Sequence, residues 1–192
     1  LLSFREDLII KPLRGNVPTR IAKLKNNDYD AILVAYAGIL RLPLSLGGLY
    51  MHVLDCEDFV PAPAQGVLAF QIRKENKELH DTLRKLNNEN AEKTTLLERE
   101  ILRKLEGGCQ TPIGIFCNQK EEKICVHVAK SSDAEQPPIR YFKSFEAGSE
   151  NIASHVVSAV QNISVKNVFI TRNLSGGTIL ESTLHASGVA LS

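Results

Sequence analysis

Apolar positions in this chain first come as short continuous runs, then at helical spacing, then in alternation. Leu8-Ile9-Ile10 predicts a short strand, and Asn16 to about Lys25 predicts a helix. Asn16 or the turn before it can cap that helix, and Ile21 and Leu24 fall on one face. From Asp30 to Ala37 the chain is almost continuously apolar, the pattern of a parallel strand covered on both sides. Gly38 to Leu42 opens a further helix limited by Pro43, and Gly47-Gly48 marks a turn. Phe59-Val60 and Val67 to Ile72 read as strands on either side of Pro61-Ala62-Pro63, a proline-pinned crossing that suits a hinge between domains.

Residues 75–88 and 91–106, rich in Glu, Lys, Leu and Arg, predict two helices divided by Asn87-Asn88-Glu89-Asn90. Their charges read as a solvated face. Three strands follow at Pro112–Asn118, Lys123–Lys130 and Pro138–Phe145, joined by polar turns. A helix from Ser149, its cap, to Gln161 turns Ile152, Val156, Val157 and Val160 inward. Together these make a small α+β unit over residues 108–163. Lys166 to Arg172 then predicts a strand, and Ile179 to Ala186 a helix ending at Gly188. One such β–α pair cannot bury its own faces.

Composition narrows the classes. With 192 residues, 43% hydrophobic and 23% charged, the chain is ordinary globular material for one domain or two small ones. A net charge of +1 makes no case for nucleic acid or for a membrane surface as partner. No apolar run approaches the ~20 residues of a membrane span, and no basic-then-apolar leader opens the chain. The four cysteines (Cys56, Cys109, Cys117, Cys125) are too scattered for a disulfide framework, and without a CxxC pair no zinc site is read, although His127 follows Cys125 closely. Cys117 and Cys125 read as small buried strand residues, and a reducing cytoplasm fits. The opening Leu1-Leu2-Ser3-Phe4 reads like the interior of a longer protein.

The densest chemical signal is Leu105-Glu106-Gly107-Gly108-Cys109-Gln110-Thr111-Pro112-Ile113-Gly114. Two glycines stop a charged helix and keep side chains away from the sulfur, and Pro112 forces an extended exit. A cysteine so placed suits attachment of a bulky group; spacing alone equally allows a helix end followed by a buried small residue. Ahead of it stand Arg14-Gly15-Asn16-Val17-Pro18-Thr19-Arg20, then Asp30 to Arg41, then Pro63-Ala64-Gln65-Gly66 and Glu98-Arg99-Glu100. In this order the motifs resemble the second half of porphobilinogen deaminase (hydroxymethylbilane synthase) over roughly residues 5–163.

That resemblance implies a transferase of tetrapyrrole and haem biosynthesis. It would polymerise four porphobilinogens head to tail, with loss of ammonia, on a dipyrromethane cofactor held by a thioether to Cys109. It implies part of a two-lobed, periplasmic-binding-protein-like α/β core plus a small three-stranded α+β C-terminal domain. The expected divisions are 1–63, part of an α/β domain with the binding arginines; 64–107, the hinge return and helices that pack on a first domain; 108–163, the cofactor-attachment domain; and 164–192, a β–α tail. That tail resembles the opening of uroporphyrinogen-III synthase, which would make the parent a fusion of two consecutive haem-pathway enzymes. An ordinary C-terminal strand and helix, or a disordered tail, is the other reading.

Arg14 at a predicted strand end, Arg20 in the first turns of a helix and Arg41 at the start of the next suit carboxylates, because the planar guanidinium grips both oxygens. In an α/β sheet such positions gather at the carboxyl ends of the strands, although an arginine near a helix start is more often a plain surface residue. Porphobilinogen and the growing polypyrrole carry an acetate and a propionate on every ring. By resemblance all three arginines bind cofactor or substrate carboxylates, with Thr19 helping to hold an anion, Gly38 allowing close approach and Gln65 facing the cleft. The usual Val-Gly-Gln-Gly of the family is here Pro63-Ala64-Gln65-Gly66, which adds a Cβ at the hinge.

The family's acid–base carboxylate lies in its first domain and matches nothing in residues 1–192. Asp28, Asp30, Glu98 and Glu106 are not assigned to that role, so no catalytic residue and no turnover is expected of this segment alone. Apolar faces in 66–88 are expected to be exposed without the first domain, driving association. Two other readings stand beside this one: a non-enzymatic anion-binding module, and a regulatory piece of a haem-pathway fusion.

Overall fold

The computed structural model describes residues 1–2, 5, 7–105, 112–132 and 138–163. Cys109, Glu106 and the whole 164–192 tail therefore lie outside the described residues. The first helix, α1 (Val17–Lys25), forms where the pattern places it. Asn16 caps it by accepting from the Thr19 N–H, Pro18 stands in the first turn, and Lys23 and Lys25 sit in the last turn against the negative end of the dipole. Next come α2 (Tyr36–Arg41), α3 (Lys77–Arg84) and α4 (Glu89–Lys104). Asn88 caps α4 by accepting from Ala91 N–H, with Glu89 and Glu92 in its first turn and Arg103 and Lys104 in its last.

β1 (Ile113–Lys120), β2 (Lys123–Lys130) and β3 (Ile139–Glu146) form one antiparallel sheet in the order β1-β2-β3. Glu121, with φ of 54°, turns the two-residue loop between β1 and β2. α5 (Ile152–Gln161) follows. Its cap is Asn151 in the left-handed region, not Ser149, whose N–H instead donates to the Glu146 carbonyl to close the turn after β3.

Helices α4 and α5 cover one face of the sheet. Ile101 and Leu105 meet Ile115, Cys117, Val126 and Val128 from the strands and Ile152, Val156 and Val160 from α5. Side chains such as Val156 and Ile115, with no exposed surface, contribute about 1.5–3 kcal/mol each by burial. On the other face His127 lies between Phe116 and Phe142, with ring centroids 6.1 and 4.6 Å away. Burial lowers the His127 pKa, while the Glu57 carboxylate pulls it back up. Segment 57–58 closes over this side, held by the Glu57–Lys120 ion pair and by Arg140 donating to the Glu57 and Asp58 carbonyls.

The first part of the chain departs from expectation. The strands expected at Leu8–Ile10, Asp30–Ala37, Phe59–Val60 and Val67–Ile72 do not form ladders among the described residues. A strand exists by pairing, and these segments make no ladder among the described residues, although the Pro61 carbonyl accepts a single bond from the Ile115 N–H of β1. Leu33, Leu68 and Phe70 are accordingly exposed, while Ile32 and Val34 are half-buried. What the residues establish is a mixed α/β chain whose one described sheet is antiparallel. Among the described residues no helix is long and apolar enough to cross a membrane.

Candidate functional site

Around the start of α1, backbone and cations are knitted together. Gly15 has φ of +119°, and a Cβ there would fall 2.9 Å from the Thr19 methyl. The Thr19 hydroxyl donates to Asn16 Oδ1 at 2.7 Å, so its proton is already engaged in the cap. Arg20 Nε donates to the Gly15 carbonyl at 2.7 Å, and Lys23 Nζ reaches the Arg14 carbonyl at 3.4 Å. Arg14 thus stands in the loop before α1, where a strand end was expected, because Leu8–Ile10 has no ladder partner. Arg41 is the last residue of α2, not an early one, since the helix begins two residues before Gly38.

Three segments meet here. A Cβ on Gly38 would lie 3.2 Å from Val17 of α1, and one on Gly66 would lie 3.3 Å from the Ala37 Cβ of α2. Arg41 Nη2 donates to the Gly66 carbonyl at 2.8 Å, tying the end of α2 to the turn at 62–67. That turn is closed by Gln65 N–H to Ala62 and Val67 N–H to Ala64. Ala64 and Gly66 both adopt positive φ, 61° and 84°. Gln65 lines two adjoining cavities of about 230 and 580 Å³, the larger also lined by Arg20. None of Arg14, Arg20 and Arg41 is paired with a carboxylate of the described residues.

Behind the turn sits Glu98, which sequence reasoning left as a plain helix residue. It is only 7% exposed. Its Oε2 accepts from Ala64 N–H at 2.7 Å and its Oε1 from Cys117 N–H at 2.8 Å. Burial raises its pKa, and these two donors pull it back. A signal was there: Glu98, Ile101 and Leu105 fall at i, i+3 and i+7, so the carboxylate sits on the stripe that α4 buries. Nearby, burial drives the Cys117 thiol far above its ordinary range and leaves it inert, whereas Cys56 is exposed.

Guanidinium groups on and beside short helices that pair with no carboxylate of the described residues, glycines that keep neighbouring backbones close, and a two-layer α+β unit define an α/β protein with a candidate site for carboxylate-bearing ligands. Comparison with known proteins gives the family. Residues 1–81 match the family model described as porphobilinogen deaminase, dipyromethane cofactor binding domain, and residues 93–129 match the porphobilinogen deaminase C-terminal domain.

Relatives agree. The porphobilinogen deaminase of Campylobacter jejuni subsp. doylei is 47% identical over 126 residues, 66% of this chain and 41% of the relative. Those of Nitratiruptor sp. and Geobacillus sp. are 44% and 38% identical over 115 and 138 residues, covering 60% and 71% of this chain and 36% and 44% of theirs. The chain belongs to the porphobilinogen deaminase family. It spans less than half the length of these relatives.

Proposed function

We propose that this chain is the cofactor- and substrate-holding part of a cytoplasmic porphobilinogen deaminase, which joins four porphobilinogens into hydroxymethylbilane. The observation that carries the reading is Arg41 at the 62–67 turn and Arg20 on the cavity that Gln65 lines, neither paired with a carboxylate of the described residues, in a chain of this family. Dipyrromethane fits the donors present. Its acidic side chains need cations not already committed to protein carboxylates, and Gly15, Gly38 and Gly66 let Thr19, Val17 and Ala37 pack close so that the segments carrying those cations meet. When bound, the group supplies the tethered end from which the product is extended.

Arg14, Arg20 and Arg41 hold carboxylates of cofactor and growing chain. Thr19 orders the cap beside Arg20, Gly38 and Gly66 keep α1, α2 and the turn in contact, and Gln65 offers its amide to the cavities it lines. Cys109, outside the described residues, is the attachment point. Residues 1–63 belong to one lobe of a two-lobed α/β core, 64–107 return through the hinge and pack on a first domain, and 108–163 form the attachment domain. The 164–192 tail, also outside the described residues, opens a uroporphyrinogen-III synthase. The acid–base carboxylate is supplied from outside residues 1–192.

Turnover tests this reading. The protein expressed at full length from its gene is expected to consume porphobilinogen with release of ammonia. Arg41→Ala should raise KM by about tenfold or more through loss of a charged contact. The purified 192-residue chain is expected to show no turnover. Absence of bilane formation by well-folded full-length protein contradicts the assignment, and turnover by the 192-residue chain contradicts the placement of the carboxylate.

A further inference from the structure

β1 is an edge strand, and the outward N–H groups of such a strand need partners. Here the Ile115 N–H is taken by the Pro61 carbonyl at 2.9 Å and the Cys117 N–H by Glu98. The hinge segment thus runs along β1 in place of a fourth strand, and one carboxylate from α4 completes the edge. The same carboxylate's second oxygen takes the Ala64 N–H.

A buried anion is costly unless its oxygens are satisfied, and these charge-assisted bonds satisfy one on each side of the junction. With Ala64 fixed at its N–H and its carbonyl bonded to Val67, the peptide that carries the Gly66 carbonyl has little freedom. That carbonyl is the acceptor for Arg41.

We propose that Glu98 is a positioning residue: its carboxylate clips the 62–67 turn to β1 and, through the Gly66 carbonyl, sets the guanidinium of Arg41. The second half rests on the reading of Arg41 as a ligand-holding residue. Attachment domain and arginine site are then mechanically one piece, and a disturbance at Cys117 or Ala64 is felt at Arg41.

The test uses the full-length protein and the isosteric Glu98→Gln. An amide offers one acceptor and turns a donor toward the other N–H, so one backbone group loses its partner. Amide exchange at Ala64 or at Cys117, whichever N–H the amide leaves unpartnered, is expected to quicken by about tenfold or more, while Val126 and Val128 of β2 stay protected. KM for porphobilinogen is expected to rise more than kcat falls. In an Arg41→Lys background Glu98→Gln should add almost nothing, because both changes act through one contact.

Unchanged protection at both Ala64 and Cys117 in folded Glu98→Gln protein overturns the clip. Effects on KM that multiply independently overturn its action through Arg41. Should the protein prove not to act on porphobilinogen, the exchange result alone decides the clip, so the two failures are told apart. If Glu98→Gln does not fold, Glu98→Asp, which keeps the charge without the reach, is expected to give the same loss of protection at Ala64 or Cys117.

Discussion

Ala64 holds a backbone conformation that suits glycine. Its φ of 61° brings Cβ against the following carbonyl, a strain of roughly 1–2 kcal/mol for an L-residue. The N–H it thereby aims at Glu98 explains why the strain persists, since that bond satisfies a buried anion. Ala64→Gly is expected to raise stability by about 1 kcal/mol, less whatever glycine loses in unfolded-state entropy. Urea denaturation measures it, and a lowered midpoint would contradict the account. The departure from the family's glycine was legible in the sequence as an added Cβ, but its consequence was not. Which backbone groups converge on a carboxylate depends on contacts 34 and 19 residues apart in the chain. Glu98 itself was visible only as an acidic residue on an apolar stripe.

Among elements, those set by local chemistry could be read directly. α1 has its Asn cap, first-turn proline and basic last turn, and the three strands of the C-terminal sheet begin and end within about two residues of expectation. α5 was placed correctly for its buried face, but its cap was not: Asn151, by taking a left-handed turn, displaces Ser149. The apolar runs at 31–35 and 67–72 carry strand composition without strand pairing, because pairing is decided by neighbours and not by the run.

One element contact makes a sharp demand. A Cβ on Gly114 would run into the Val60 carbonyl, where the hinge lies along β1. Gly114→Ala should therefore destabilise the C-terminal unit by about 1–3 kcal/mol. Thermal unfolding indistinguishable from the parent would mean that the segment at 60–61 does not lie against β1.

At the scale of the whole molecule, apolar surface is unevenly covered. The C-terminal unit has a closed core, whereas Leu68 and Phe70 are 68% and 66% exposed and Leu33, Leu40, Tyr50 and Met51 are exposed with them. Patches of this kind associate. Sedimentation of the 192-residue chain is expected to show concentration-dependent self-association, and a clean monomer at high concentration would contradict it. Under the proposed function, this is the surface that packing on a further domain would cover. On the proposed function, the arginines, the 62–67 turn and the attachment unit would act as one holding device for a tethered polycarboxylate.

The most direct test of that claim is the intact mass of the protein expressed at full length from its gene, beside its Cys109→Ala variant. The account predicts a mass above that of the translated chain by two pyrrole rings with their acidic side chains, absent from the variant. An unmodified mass in well-folded full-length protein would contradict it and leave Cys109 as no more than the residue after a helix end.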